Sequence, residues 1–119
     1  MLIHYIIVRR DLPLGVLAAM VTHAAGESAA KYEANHVEGF EGCTAVVLEA
    51  KSEADLNDTA EILRSAAVDN VEVHESSGEF AGQFMAIGVV PGDREKLEPI
   101  FLDYQCLKED RDDTKLWGV

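Results

Sequence analysis

Met20, His23 and Glu27 recur at spacings of three and four residues, so any helix that carries them presents them on one face. There Glu27 would orient the His23 imidazole and raise its pKa, the arrangement of a general base; the plainer alternative is a histidine satisfied by packing. Asp11 precedes a Leu-Pro-x-Gly turn, where an aspartate either accepts hydrogen bonds from backbone amides or fixes a substrate-binding loop. Ser76-Ser77-Gly78 offers an anion nest or a hydroxyl nucleophile, although a serine-rich stretch is first a turn, and no Gly-x-Ser-x-Gly elbow is present. No second histidine stands at metal spacing, so neither a metal nor a cofactor is expected. Phosphate-loop and dinucleotide signatures are missing. His4 falls inside a strand pattern, His36 in a glycine-bearing loop and His74 at the end of a short strand, where packing or solvation explains each.

These groups need a scaffold, and the apolar patterning supplies one. Ile3, His4, Tyr5, Ile6, Ile7 and Val8 form a β-branched and aromatic run that breaks at Asp11-Leu12-Pro13-Leu14-Gly15, the pattern of a buried strand entering a turn. Leu17, Val21, Ala24, Ala25 and Ser28 then recur at helical spacing to about Tyr32, and residues 33 to 42 read as a loop. Thr44-Ala45-Val46-Val47-Leu48-Glu49 is a strand covered on both faces. Ser52-Glu53-Ala54-Asp55 is a capping signature ahead of Leu56, Ala60, Leu63 and Ala67. Val71-Glu72-Val73-His74 alternates like a half-exposed strand, residues 75 to 79 form a polar turn, and residues 84 to 90 return to a buried strand. A last helix starts at Pro91-Gly92-Asp93 and runs through Leu97, Ile100 and Phe101. The order β-α-β-α-β-β-α predicts a single α/β domain, a four-stranded mixed sheet flanked by helices on both faces. In such a sheet ligands collect at the carboxyl ends of the strands, here residues 9 to 15, 50 to 52 and 74 to 79. The domain is expected over residues 1–106, with residues 107–119 a charged extension.

A length of 119 residues fits one domain, and 48% hydrophobic with 27% charged residues excludes wholesale disorder. Ten Lys plus Arg against twenty-two Asp plus Glu give a formal charge of −12. That charge opposes non-specific binding to DNA, RNA or anionic lipid, so an RNA partner has to be met by a local patch. Cys43 and Cys106 lack Cys-x-x-Cys spacing and read as two reduced thiols in a cytoplasm. The apolar run of residues 2 to 8 is too short to span a bilayer, and Arg9 and Arg10 follow it instead of preceding it as in a signal peptide. No membrane association is expected.

The stretch Ile7-Val8-Arg9-Arg10-Asp11-Leu12-Pro13-Leu14-Gly15-Val16-Leu17-Ala18-Ala19-Met20-Val21-Thr22-His23-Ala24-Ala25-Gly26-Glu27-Ser28 resembles the opening of the second family of peptidyl-tRNA hydrolases. Thr44-Ala45-Val46-Val47-Leu48 is similar to that family's second strand, Ser52-Glu53-Ala54-Asp55-Leu56 to its second helix start, and Gly82-Gln83-Phe84-Met85-Ala86-Ile87-Gly88 to the last strand of its bacterial branch. The resemblance runs from about residue 3 to 101. It implies a four-stranded mixed sheet with flanking helices, a homodimer, and cleavage of the ester that joins a peptide to tRNA. His23 matches the family's helix-one histidine and Asp11 its strand-one aspartate. Members typically carry a lysine in a Gly-Lys-Gly-Lys stretch and a glutamine after Ala-Ala, where this chain has Gly15-Val16-Leu17 and Met20. Their aspartate after the third strand falls where Glu75-Ser76-Ser77-Gly78 stands, which puts Glu75 in its place. The threonines found nearby in archaeal and eukaryotic members have no counterpart.

Ester hydrolysis on RNA needs a base, donors for the oxyanion, and cations that seat phosphate. His23, Glu75 and Asp11 are the catalytic candidates, and Arg9, Arg10, Gly15, Ser77 and Gln83 the substrate contacts. The expected partner is peptidyl-tRNA. The alternative is an acidic binding module that keeps the fold without the chemistry and engages a protein partner.

Overall fold

The computed structural model describes residues 1–35 and 43–108, and the elements follow the apolar patterning closely. Strand β1 is Leu2–Arg9, helix α1 Leu14–Asn35, β2 Thr44–Ala50, α2 Glu53–Ser65, β3 Asn70–His74 and β4 Phe84–Val89. After these come a two-residue strand β5, Gly92–Asp93, a single helical turn α3, Arg94–Leu97, and a 3-10 turn, Glu98–Phe101. The sheet order is β2-β1-β4-β3. β1 and β2 are parallel, with Ile3 opposite Thr44 and Arg9 opposite Ala50. β4 runs antiparallel to both β1 and β3.

The mixed, helix-flanked sheet is the one expected, with one strand added. β5 pairs with the amino end of β1 through Leu2 opposite Asp93 and Ile3 opposite Gly92, residues that read as a helix start in sequence. The last helix is also shorter than its apolar spacing suggests. Pro99 has no amide to continue the ladder and its ring crowds the preceding turn, so α3 gives way to a 3-10 turn. Helix α1 runs three residues beyond its expected end at Tyr32, into the stretch read as a loop. His36 and residues 109–119 lie outside the described residues. Just before that tail, Glu49 donates its amide to the Gln105 carbonyl and Leu107 donates to the Val47 carbonyl, so residues 105 to 107 line the outer edge of β2.

β1 is central and covered twice, which explains its unbroken apolar run. Ile3, Tyr5 and Ile7 pack with Leu56, Leu63 and Phe101 on the α2 side, while Ile6 and Val8 pack with Leu17, Met20 and Ala24 of α1. His4 shares the α1 side; its Nε2 lies 2.7 Å from Ser28 Oγ, and burial lowers its pKa below the ordinary histidine value. α1 touches the sheet most closely at Gly88. A Cβ there would collide with the Ala24 carbonyl and stand 2.6 Å from Ser28 Oγ, so no larger residue fits without moving the helix.

Both ends of α2 are closed by local bonds. Ser52 Oγ accepts from the Asp55 amide, and Asp55 Oδ2 in turn accepts from the Lys51 amide, a reciprocal cap set one residue earlier than the usual box. At the other end the Ala67 amide donates to Arg64 and the Val68 amide to Leu63, the paired bonds of a Schellman motif. Ala67, expected on the buried face of the helix, is instead its exposed left-handed terminator, with φ of 55°.

The two cysteines are free, Cys43 half-buried and Cys106 exposed. Cys106 bridges Leu48, five positions along β2 from Cys43, a separation of roughly 16 Å at strand rise. A disulfide spans less than half of that.

Candidate active site

The carboxyl ends of β1, β2 and β3 meet the amino end of β4 at one edge of the sheet, because β1 and β2 are parallel and β4 opposes both β1 and β3. Of the residues singled out from sequence, Arg9, Arg10, Asp11, Gly15, Glu75, Ser77 and Gln83 lie at this edge or on the loops and helix start that leave it.

Arg9 is the last residue of β1, and its side chain turns toward the start of β4. Its side chain is 9% exposed. The guanidinium forks onto Asp11, with Nε to Oδ1 and Nη2 to Oδ2 both at 3.0 Å, and Nη1 donates to Gln83 Oε1 at 2.8 Å and to the Phe84 carbonyl at 3.3 Å. Five donors in a planar fork suit this task, which a lysine point charge would not perform. Arg9 was expected to contact phosphate; in the fold it is buried, and its bonds to Asp11, Gln83 and Phe84 make it a brace of the edge. The outer face of the Asp11 side chain stays open, at 41% exposure. Gln83 has its oxygen occupied by Arg9, which turns its amide nitrogen, a donor, away from the guanidinium.

Glu75 is tied to Gln83 by main chain: its amide donates to the Gln83 carbonyl at 3.0 Å, and its own carbonyl accepts from Gly82 at 2.7 Å. Between them the loop turns through Gly78 and Gly82, at φ of 81° and 82°, values that L side chains rarely adopt. The Glu75 carboxylate accepts from the Ser76 amide, so one donor that an anion nest would offer is already engaged. Ser77 is exposed at the tip of the loop. Gly15, in the first turn of α1, faces open space, and nothing in the packing excludes a side chain there.

Arg10, one residue on from Arg9, points to the opposite side. It pairs with Glu49 at 2.8 Å; the arginine is 46% exposed and the glutamate 8%. Both line a cleft of about 490 Å³ with Asp55, Asp58, Asp103 and Tyr104. The one arginine of the pair that reaches solvent therefore stands among carboxylates, with Lys51 on the same lining, and among the described residues no continuous basic patch forms around the two.

His23 is not at this edge. Its neighbour Ala24 abuts Gly88, which lies opposite Ile6, three residues or about 10 Å short of Arg9 along β1. Of the expected trio, Met20 is buried while His23 and Glu27 are exposed, and among the described residues no hydrogen bond is made by either of these two side chains. Two residues at the edge escaped sequence reasoning. Glu53, read as part of a cap, accepts the Phe84 amide at 2.7 Å and ties α2 to β4. His74 lies flat on Phe84, with ring centroids 4.6 Å apart. A strand-end histidine paired with an aromatic one strand away carries no local signal, since only the β3/β4 register brings them together.

Among the described residues no three metal-ligating side chains are grouped, and no helix is long and apolar enough to cross a membrane. No curated protein matches the chain significantly. The family model described as peptidyl-tRNA hydrolase PTH2 matches residues 2–107, nearly the whole described fold and every loop of the carboxyl edge. With that extent of match, the chain belongs to the peptidyl-tRNA hydrolase PTH2 family.

Proposed function

We propose that the protein hydrolyses the ester between peptide and tRNA at the carboxyl edge of the sheet, with Glu75 as the base. The observation that carries this reading is the linkage of Asp11, Arg9, Gln83 and Glu75 into one connected group on loops the family match covers. Glu75 takes a proton from water as the water oxygen bonds to the ester carbonyl carbon. The Gln83 amide nitrogen donates to the developing oxyanion. When the bond to the ribose oxygen breaks, Glu75 returns the proton to that oxygen. Asp11 holds Arg9, and Arg9 holds Gln83; Gly15, Ser77 and Arg10 frame the approach of substrate. His23, over mid-sheet, is placed to meet a substrate that extends along α1.

The assay is single turnover on peptidyl-tRNA. Loss of a general base costs ~10²- to 10⁴-fold in rate, so Glu75→Gln is expected to fall by that much with the fold intact, and His23→Ala by less. An equal deep loss in His23→Ala moves the base to α1, and wild-type activity in both variants removes the two roles. If the wild type itself does not cleave, the non-catalytic binding module replaces the hydrolase reading.

The same reading places the protein in the bacterial branch, on the Gly82-Gln83-Phe84-Met85-Ala86-Ile87-Gly88 stretch, and in the cytoplasm as a homodimer without affinity for DNA. The dimer is what the family resemblance implies. Light scattering at tens of micromolar is expected to give twice the chain mass of 13.0 kDa; the monomer mass would reject the dimer.

A further inference from the structure

Phe84 is almost fully buried at the start of β4, and His74, opposite it on β3, covers it face to face at an interplanar angle of 15°. A register shift between Val73 and His74, which pairs His74 with Phe84 where Val73 pairs with Ala86, brings the imidazole onto Phe84. His74 is 51% exposed at its side chain, and its Nε2 is held at 3.1 Å by Glu72 Oε1. One ring face is spent on Phe84 and one edge on Glu72, so the exposed area is the opposite face. The result is a flat ring, restrained in tilt by a buried aromatic beneath it and turned to solvent.

The placement gives the ring a ligand. Phe84 donates its amide to Glu53 and its carbonyl receives Arg9, while the residue before it is Gln83. The stacked pair therefore borders the proposed hydrolytic group on the same edge. Aromatic and imidazole planes of this kind hold unpaired nucleobases, because every base has a π face and stacking tolerates sequence. It also needs no cationic patch, which suits an edge where Arg9 is buried and Arg10 stands among carboxylates. We propose that His74, backed by Phe84, is the stacking platform for the unpaired base at the 3′ end of the tRNA, a reading that rests on the hydrolase function and supplies its RNA contact.

The test uses the full chain and a short single-stranded RNA bearing 2-aminopurine at its 3′ terminus, a base whose fluorescence is quenched by stacking. Wild type is expected to quench the probe. Deleting a base–aromatic stack typically weakens binding roughly 5- to 100-fold, so His74→Ala should lose affinity and quenching to that extent while His74→Phe retains both. Because His74 is exposed, circular dichroism should show both variants folded. Unchanged quenching in His74→Ala, or none in the wild type, overturns the platform. Peptidyl-tRNA turnover measured beside it separates the two readings. Quenching that depends on His74 without hydrolysis leaves the platform standing and rejects the hydrolase, whereas hydrolysis with the same KM in wild type and His74→Ala does the reverse.

Discussion

The two ends of the sheet are closed by different means. At the carboxyl edge side-chain ties are added to the main-chain bonds of Arg10 to Ala50 and Glu75 to Gln83: Arg9 to Asp11 and Gln83, Glu53 to the Phe84 amide, Arg10 to Glu49. At the amino edge the ties are mostly main chain. β5 pairs with Leu2 and Ile3, the Arg94 amide donates to Met1, Val90 donates to the Asp69 carbonyl, and α2 ends in the Ala67 turn. Main-chain bonds hold the fold whatever the side chains are, but they offer little selective chemistry. Side-chain ties leave spare donors and acceptors, such as the Gln83 amide nitrogen and the open face of Asp11, at the cost of depending on particular residues. That division predicts that function and stability are coupled at one edge and separable at the other.

The strongest break of the comparison is Arg9→Met, which fits the buried stem and removes the fork. Asp11 is partly hydrated, so its loss of a partner costs less than that of a fully buried ion; with the bonds to Gln83 and Phe84 also lost, about 2 kcal/mol of stability is expected to go. Turnover should drop about a hundredfold, because Gln83 is no longer fixed. Urea denaturation together with the hydrolysis assay measures both, and a stable but inactive variant would mean that the brace serves catalysis alone. Arg10→Ala leaves the Glu49 carboxylate poorly solvated, which should cost about 1 kcal/mol. Its effect on tRNA affinity should be only a few-fold, given the carboxylates around it. A steep loss of the salt dependence of binding in this variant would instead make Arg10 a principal phosphate contact.

At the amino edge Ala67→Gly relieves the left-handed strain of a Cβ, offset in part by greater freedom of the unfolded chain, so a gain of about 0.5 to 1 kcal/mol is expected. Turnover should be unchanged. A shift in kcat would show that the edges are not separable. The smallest effect belongs to His4, between the edges. Its folded pKa lies below the unfolded value of about 6.5, so the unfolded chain binds the extra proton first. The contribution of neutral His4 is complete above that value and is lost as pH falls through it toward the folded pKa. A titration followed by the His4 ring signal in NMR checks this; a midpoint at or above 6.5 would contradict it.

How much of this was legible in the sequence follows from the range of each interaction. The unbroken run of β1 and the Ser52 cap depend on neighbours within a few residues or on burial of a whole strand, and both stand where the sequence puts them. The turn at Ala67 looked like one more helical alanine because its terminating geometry is carried by backbone bonds. His23 and Glu27 share a face, as their spacing requires, but spacing cannot say which face the sheet covers; Leu17, Met20, Ala24 and Ser28 took that place and left His23 outside.

By itself the sequence determined the α/β class, the order of the main strands and helices, and the loops on which polar residues gather, since apolar periodicity and turn chemistry are local. The tertiary structure alone decided what those residues do. Arg9 and Arg10 are adjacent and chemically identical, yet the packing buries one as a brace against β4 and leaves the other in an acidic cleft beside β2. Gln83, Glu53 and His74 acquire their partners only through the β1/β4 and β3/β4 registers and the docking of α2, which join residues as far apart as 9 and 83. Contacts at that separation are fixed by how whole faces pack, and no window of the sequence contains them.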